Sequence, residues 1–211
     1  MKLVVLGAPG VGKGTQSRNL AKHFSIGHIS TGDVLRDQMA KKTKIGIEIE
    51  ELMDKGKLVS DDIVIGLLKE RILEDDCKNG YILDGFPRNL EQAEIMDGIT
   101  GEIDCVVSVD VPDEVILERM SGRVSCPKCG TIYHTIYYPP KEAMMCDNCV
   151  GQPLVQREDD KARTVINRLK LYHEETFPII DFYKKRGQLV NVSGIGEVSD
   201  ITNAIIKAIG R

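Results

Sequence analysis

The sequence has little that would suit it to a membrane, a genome or an oxidising compartment. No run of about 18 apolar residues occurs in it, so it has no segment that could cross a bilayer as a helix. It has no basic surplus: 28 Lys and Arg stand against 32 Asp and Glu, for a formal net charge of −4. That balance disfavours a general nucleic-acid binder but leaves room for a local basic pocket that takes a small anion. The opening segment Met1-Lys2-Leu3-Val4-Val5-Leu6-Gly7 is too short for a secretory leader and lacks a small-residue cleavage site. The expectation is a buried first strand in a cytoplasmic protein with no membrane association. Thiols stay reduced in that compartment, so the six cysteines are expected as metal ligands or core residues rather than disulfides. There is no internal repeat and no low-complexity tract. What remains is ordinary globular material, 42% apolar and 28% charged over 211 residues. This is enough for one domain, or one domain carrying insertions, with its own hydrophobic core.

Short apolar, β-branched runs alternate with longer helical patterns. Strands are expected over 2–6, 27–29, 81–83, 105–109 and 188–192. Helices are expected over 13–24, 31–42, 47–54, 61–74, 89–97, 113–121, 160–186 and 197–209. Short strands alternating with helices imply an α/β protein with a central parallel sheet covered on both faces. Thr31 and Ser60 stand where helix N-caps are expected, and Pro112-Asp113 suits the first turn of a helix ending near Gly122. Residues 123–156 break the rhythm. They hold four cysteines, several prolines and three tyrosines, and read as a small inserted β-rich unit.

Three local patterns carry chemistry. GAPGVGKGT (7–15) follows the first strand and opens a helix, and it follows the phosphate-loop pattern through Gly7, Gly12, Lys13 and Thr15. Glycines let the backbone wrap a polyphosphate with N–H groups pointing inward, and the helix N-terminus adds its positive end. Lys13 supplies a cation, and Thr15 supplies a hydroxyl for Mg²⁺. Next, the strand 81–83 runs into Asp84-Gly85-Phe86-Pro87-Arg88. A carboxylate at the carboxyl end of a strand can hold Mg²⁺ or its waters, and a guanidinium four residues later can grip a phosphate. Finally, Cys126-x-x-Cys129 and Cys146-x-x-Cys149 have the spacing of a tetrahedral four-thiolate zinc site. A unit of this size is too small to bury a core of its own, so a structural metal can supply what packing lacks.

Together, GAPGVGKGT (7–15), STGDVLR (30–36), GKLVSDDIV (56–64) and DGFPRNLEQA (84–93) resemble, in order and spacing, the adenylate kinase family. The four-cysteine insertion with its Thr131-Ile132-Tyr133-His134 stretch is similar to the lid of the long, zinc-containing members. The resemblance covers essentially the whole chain. It implies a P-loop core over 1–29, 60–121 and 160–211, with a five-stranded parallel sheet. It also implies a helical AMP-binding insertion over 30–59 and a β-rich zinc lid over 122–159. The implied reaction is ATP + AMP = 2 ADP in a monomer.

The implied ATP contacts are Gly10, Val11, Gly12, Lys13, Gly14, Thr15, Arg119, Arg123, Ile132, Tyr133 and Gly196. The implied AMP contacts are Thr31, Arg36, Lys57, Leu58, Val59, Gly85, Phe86, Pro87, Arg88, Gln92, Arg157 and Arg168. The phosphoryl group would be stabilised by Lys13, Arg36, Arg88, Arg123, Arg157 and Arg168, with Asp84 beside Mg²⁺. No histidine is assigned a role in the chemistry, and His134 is not expected as a metal ligand. In one departure, Val124 stands where many relatives have a second arginine after Arg123. The sequence leaves two other readings open: a kinase for UMP, CMP or GMP, and a P-loop or zinc-ribbon module without kinase turnover.

Overall fold

The computed structural model describes residues 1–210. All five expected strands form. β1 (Lys2–Leu6), β2 (Gly27–Ser30), β3 (Tyr81–Asp84) and β4 (Cys105–Asp110) come first. Then β5 (Arg123–Ser125) and β6 (Ile132–His134) make a separate antiparallel pair, and β7 (Leu189–Ser193) completes the main sheet. That sheet is parallel throughout, in the order β2-β3-β1-β4-β7. The helices are α1 (Lys13–Phe24), α2 (Thr31–Ala40), α3 (Lys44–Asp54), α4 (Asp61–Ile72), α5 (Leu90–Thr100), α6 (Asp113–Ser121), α7 (Ala162–Leu171), α8 (Pro178–Lys185) and α9 (Val198–Ile209).

Strand periodicity explains why the sheet is covered twice, since successive side chains point to opposite faces. Leu3 and Val5 of β1 join Ile82, Val107 and Val109 under α1, α6, α7 and α9. Val4 and Leu6 join Leu83 and Val106 under α4, α5 and α8. A third cluster of Leu35, Ile49 and Val59 holds α2 and α3 to the start of α4. A fourth, Val124, Cys126, Tyr133, Cys146 and Leu154, lies wholly within the cysteine-bearing insertion. Among the described residues, no helix is long and apolar enough to cross a membrane.

Several helix limits differ from the expectation. α2 stops at Ala40, because Lys42 takes a left-handed φ of 50°. α3 begins at Lys44 instead of 47, because Thr43 caps it by accepting a bond from the Gly46 amide at 3.1 Å. A side chain at Gly46 would meet the Gln38 carbonyl at 2.3 Å, so glycine there allows α2 and α3 to touch. α4 ends at Ile72, and α5 runs on to Thr100, where Gly101 caps it. The long helix expected over 160–186 is broken. A 3-10 turn covers Glu158–Asp160, α7 follows, a π-helical turn covers Tyr172–Thr176, and α8 starts at Pro178. Ser30 caps α2, accepting from the Asp33 amide at 3.2 Å; Thr31 is the first helical residue and its hydroxyl points elsewhere. Ser60 precedes α4 but makes no side-chain cap bond.

Candidate active site

The carboxyl end of β1 turns directly into the glycine-rich loop. Gly7 has φ 145°, and a Cβ there would stand 2.6 Å from the Val109 carbonyl oxygen, so only glycine lets the loop pass β4. α1 then starts after Gly12 with no side-chain cap and no acidic residue in its first turn. No side chain therefore takes up its leading amides, which leaves the positive dipole end of the helix able to meet an anion. Lys13 Nζ donates to the carbonyl oxygens of Gly7 and Ala8 at 2.7 and 2.8 Å. Burial pushes this ammonium down to about 7; Asp84 works against the fall, while Arg88, Arg168 and Arg123 deepen it. Lys13 therefore lies within electrostatic reach of three guanidiniums.

Asp84 ends β3 beside Val5 of β1 and Ser30 of β2. Its Oδ2 lies 3.2 Å from where a Cβ at Gly14 would be. Gly14 thus stands where the simplest phosphate-loop pattern has its hydroxyl residue, and the hydroxyl follows at Thr15. Asp84 Oδ2 is also 3.7 Å from His28 Nε2. The next residue, Gly85, has φ 87°, and a side chain there would meet the Thr31 hydroxyl oxygen at 2.7 Å. That Thr31 hydroxyl donates to the Asp84 carbonyl oxygen at 3.2 Å. Phe86 is fully buried and joined to Pro87 by a cis peptide. Arg88 donates from its amide to Gln92 Oε1 and from Nε to the Gly85 carbonyl oxygen, both at 2.7 Å. Gln92 in turn donates to Asp61 at 2.6 Å. Thr31, Lys57, Leu58, Val59, Arg88 and Gln92 line one small cavity together with Leu35, Met53 and Val64. Residues from three separate motifs therefore meet at one place.

The arginines approach from the other side, each held by an acid or a hydroxyl. Arg36 Nη2 pairs with Asp33 at 2.6 Å. Arg123 makes a two-pronged bond to Asp160 with Nε at 2.7 Å and Nη2. Arg168 Nη1 is 2.8 Å from Asp159 and 3.5 Å from Asp160, whose side chain is only 1% exposed. Arg157 Nε donates to the Ser125 hydroxyl at 3.0 Å. Burial and neighbouring guanidiniums press Arg157 and Arg168 down to about 10. Burial alone would raise Asp159, yet Arg168, Arg36, Arg123 and Arg157 together hold it below the usual carboxylate range. Six cations (Lys13, Arg36, Arg88, Arg123, Arg157, Arg168) thus face four carboxylates (Asp33, Asp84, Asp159, Asp160) in a chain of net charge −4. At the far end of the cleft, Arg119 Nη2 donates to the Gly194 carbonyl oxygen at 3.0 Å and so stands beside the loop that carries Gly196. Ile132 and Tyr133 lie on β6. The Tyr133 side chain is buried inside the insertion and accepts a bond from the Asp147 amide at 3.0 Å, so only its backbone is available to a ligand.

Cys126, Cys129, Cys146 and Cys149 bring their sulfurs within 4.8 Å of one another, and none is in a disulfide. The Cys129–Cys146 sulfur separation is 3.6 Å. A tetrahedral site with metal–sulfur bonds of about 2.3 Å requires roughly 3.8 Å, so the donor set fits zinc. The Thr131 hydroxyl and neighbouring groups draw Cys129 down to about 6, while bonding to Cys129 pushes Cys149 up to about 12. Burial likewise raises Cys126, so in the metal-free cluster Cys129 is the thiol drawn toward the thiolate. His134 Nδ1 accepts from the amides of Ile136 and Tyr137, which keeps it outside the cluster.

The sequence reading did not identify the anchors of this site: Asp33, Asp61, Ser125, Asp159, Asp160 and Thr176. Only the acids following Arg157 gave any sign, since they stand next to an arginine and a buried guanidinium needs a partner.

Fixed positive charge in such excess over one phosphate loop has a use where two phosphate chains must be held in the same space, which is the task of a P-loop nucleotide kinase. The sequence pattern of the adenylate kinase family matches residues 5–188. The chain is 51% identical to an adenylate kinase of Caldicellulosiruptor saccharolyticus, with 100% of this chain and 99% of that one covered. It is 47% identical to one of Acetivibrio thermocellus (99% and 98% covered) and 46% identical to one of Methanothrix thermoacetophila (100% and 99% covered). The chain belongs to the adenylate kinase family. It is a phosphotransferase, and its reaction is ATP + AMP = 2 ADP.

Proposed function

We propose that the six cations draw the ATP and AMP phosphates end to end, with ATP on the glycine-rich loop and AMP in the cavity lined by Thr31, Val59 and Gln92. The observation that carries this reading is the gathering of cations at the glycine-rich loop: Arg88, Arg168 and Arg123 all lower the Lys13 ammonium, and Arg123 and Arg88 lower Arg168, while buried Asp159 and Asp160 hold Arg168 and Arg123 in place. Such crowding is unfavourable without an anion and is relieved by one. In this reading Gly10, Val11, Gly12, Gly14 and Thr15 wrap the triphosphate through their amides, and Lys13 exchanges its carbonyl partners for phosphate. Arg119, Gly196, Ile132 and Tyr133 surround the ATP base, the last two by backbone. Lys57, Leu58, Val59, Gly85, Phe86 and Pro87 wall the AMP base, while Thr31 and Gln92 read it. Arg36, Arg88, Arg157 and Arg168 take the AMP phosphate.

The acceptor oxygen of AMP is already anionic, so no general base is required. Catalysis then rests on alignment and on charge stabilisation over the transferring group. Thr15 and Asp84 offer the all-oxygen environment that Mg²⁺ prefers and would hold it beside the loop. When bound, that ion neutralises charge on the ATP phosphates. Residues 30–59 and 122–159 close over 1–29, 60–121 and 160–211, excluding water as a competing acceptor. The four cysteines hold a structural zinc that keeps the lid rigid. The protein is a cytoplasmic monomer whose partners are ATP, AMP and ADP.

ADP formation measured with Mg·ATP and each of AMP, UMP, CMP and GMP tests the assignment, with metal content determined on the same sample. Turnover with AMP well above the other three is expected. Comparable turnover with a pyrimidine monophosphate would overturn the base assignment of Thr31 and Gln92.

A further inference from the structure

The π-helical turn Tyr172–Thr176 interrupts this long helical segment just ahead of Pro178. None of its five residues is buried. Its defining bond runs from the Phe177 amide to the Tyr172 carbonyl oxygen at 2.8 Å, five residues back rather than four. Such turns are rare, cost regular hydrogen bonding and concentrate at functional sites. The gain from this one lies in where it directs a hydroxyl: Thr176 Oγ1 donates to the Arg88 carbonyl oxygen at 2.6 Å, across 88 positions of sequence.

That bond completes a clamp. Arg88 is held at its amide by Gln92 in the first turn of α5 and at Nε by Gly85 of its own loop. Among the described residues, Thr176 alone reaches it from an element distant in sequence, and it fixes the peptide on the far side of the Cα. These bonds use the backbone and Nε, so the two Nη groups keep their direction while the loop is braced. Downstream, Ile179 and Tyr183 of α8 are both buried in the sheet's second cluster, so the turn that carries Thr176 is itself rigidly anchored.

We infer that Thr176 is a positioning residue for phosphoryl transfer: it sets the pose of Arg88, and the π-helical turn exists to bring it there. This rests on the reading of Arg88 as the grip on the acceptor phosphate. A misplacement of the order of 1 Å in such a group can cost about a hundredfold in rate, and a loosened but still tethered one costs less.

The test compares Thr176→Val, which keeps the shape and removes the hydroxyl, with Thr176→Ser, which keeps the hydroxyl, and with Arg88→Ala. For the valine variant, kcat/KM for AMP is expected to fall about tenfold while KM for ATP stays within about twofold. The serine variant is expected to return to within about twofold of the parent. A valine variant with AMP kinetics like the parent's, alongside an inactive Arg88→Ala, would overturn this inference and leave the reading of Arg88 standing. Equal losses in the valine and serine variants, or losses for ATP and AMP together with a lowered melting temperature, would also overturn it. Near-parental activity in Arg88→Ala would instead remove the reading of Arg88 on which it rests.

Discussion

The sheet and the cysteine insertion solve the same problem by different means. The sheet is buried on both faces, with seventeen residues in one apolar cluster and fourteen in the other. The insertion buries five, and two of those are cysteines. Its three other buried side chains, Val124, Tyr133 and Leu154, contribute about 2 kcal/mol each. Four-thiolate sites bind zinc with apparent free energies on the order of 10–16 kcal/mol. A metal on the four cysteines would outweigh the packing of the insertion, whereas in the sheet packing suffices. One chain thus pairs a region that is stable because of what it excludes with another whose donor set suits it to be stable because of what it binds.

Removing the metal is the strongest way to break that comparison. A chelator that competes for thiolates is expected to abolish amide-exchange protection across β5 and β6 while leaving β1 and β4 protected nearly as before. Protection lost equally in both regions, or in neither, would mean that the two are not separately supported.

A second measurement sharpens the comparison on the side of the sheet, whose stability is partly given up at its rim. The folded protein presses the charge on Lys13 down to about 7, so at neutral pH and below the protonated amine is a cost to the fold. Lys13→Met is therefore expected to reduce turnover about 10²–10³-fold without lowering the melting temperature. A melting temperature that drops with activity would show that the lysine holds the loop together instead of serving the ligand.

The smallest effect concerns pH. Phosphate contact raises the Lys13 value back toward 10.5, so ATP binding takes up a proton at pH above about 7. Affinity should then fall as pH rises, by at most about tenfold per unit. Titration calorimetry at pH 8 in buffers of different ionisation heat reads that uptake directly, and binding without it would contradict the crowding of charge described for this site.

Much of the fold was legible in the sequence because its signals are local. The five main strands are short β-branched runs. The phosphate loop, Asp84-Gly85-Phe86-Pro87-Arg88 and the paired cysteines each carry their chemistry within a few residues. The misplaced features depend on distant partners. α3 is the exception: Thr43 just ahead of it caps it early, and Gly46 lets that turn lie against Gln38. Thr31 looks like a cap, but Ser30 takes that role and leaves the Thr31 hydroxyl to Asp84. The 160–186 segment has helical periodicity throughout; Pro178 within it signals a break, but nothing local signals the π-helical turn that sends Thr176 to Arg88. The expected cations do converge, but the acids that hold them in place are visible only once the chain is folded.

The backbone enters and leaves the cysteine insertion almost through one point. Ser125 and Val155 exchange both amide bonds at 2.9 Å, and Arg123 just before them reaches Asp160 just after. The residues between are an excursion from the sheet's connectivity, not a link within it. Changes of length or composition there leave the strand order of the main sheet untouched, so this is the part of the molecule most open to exchange.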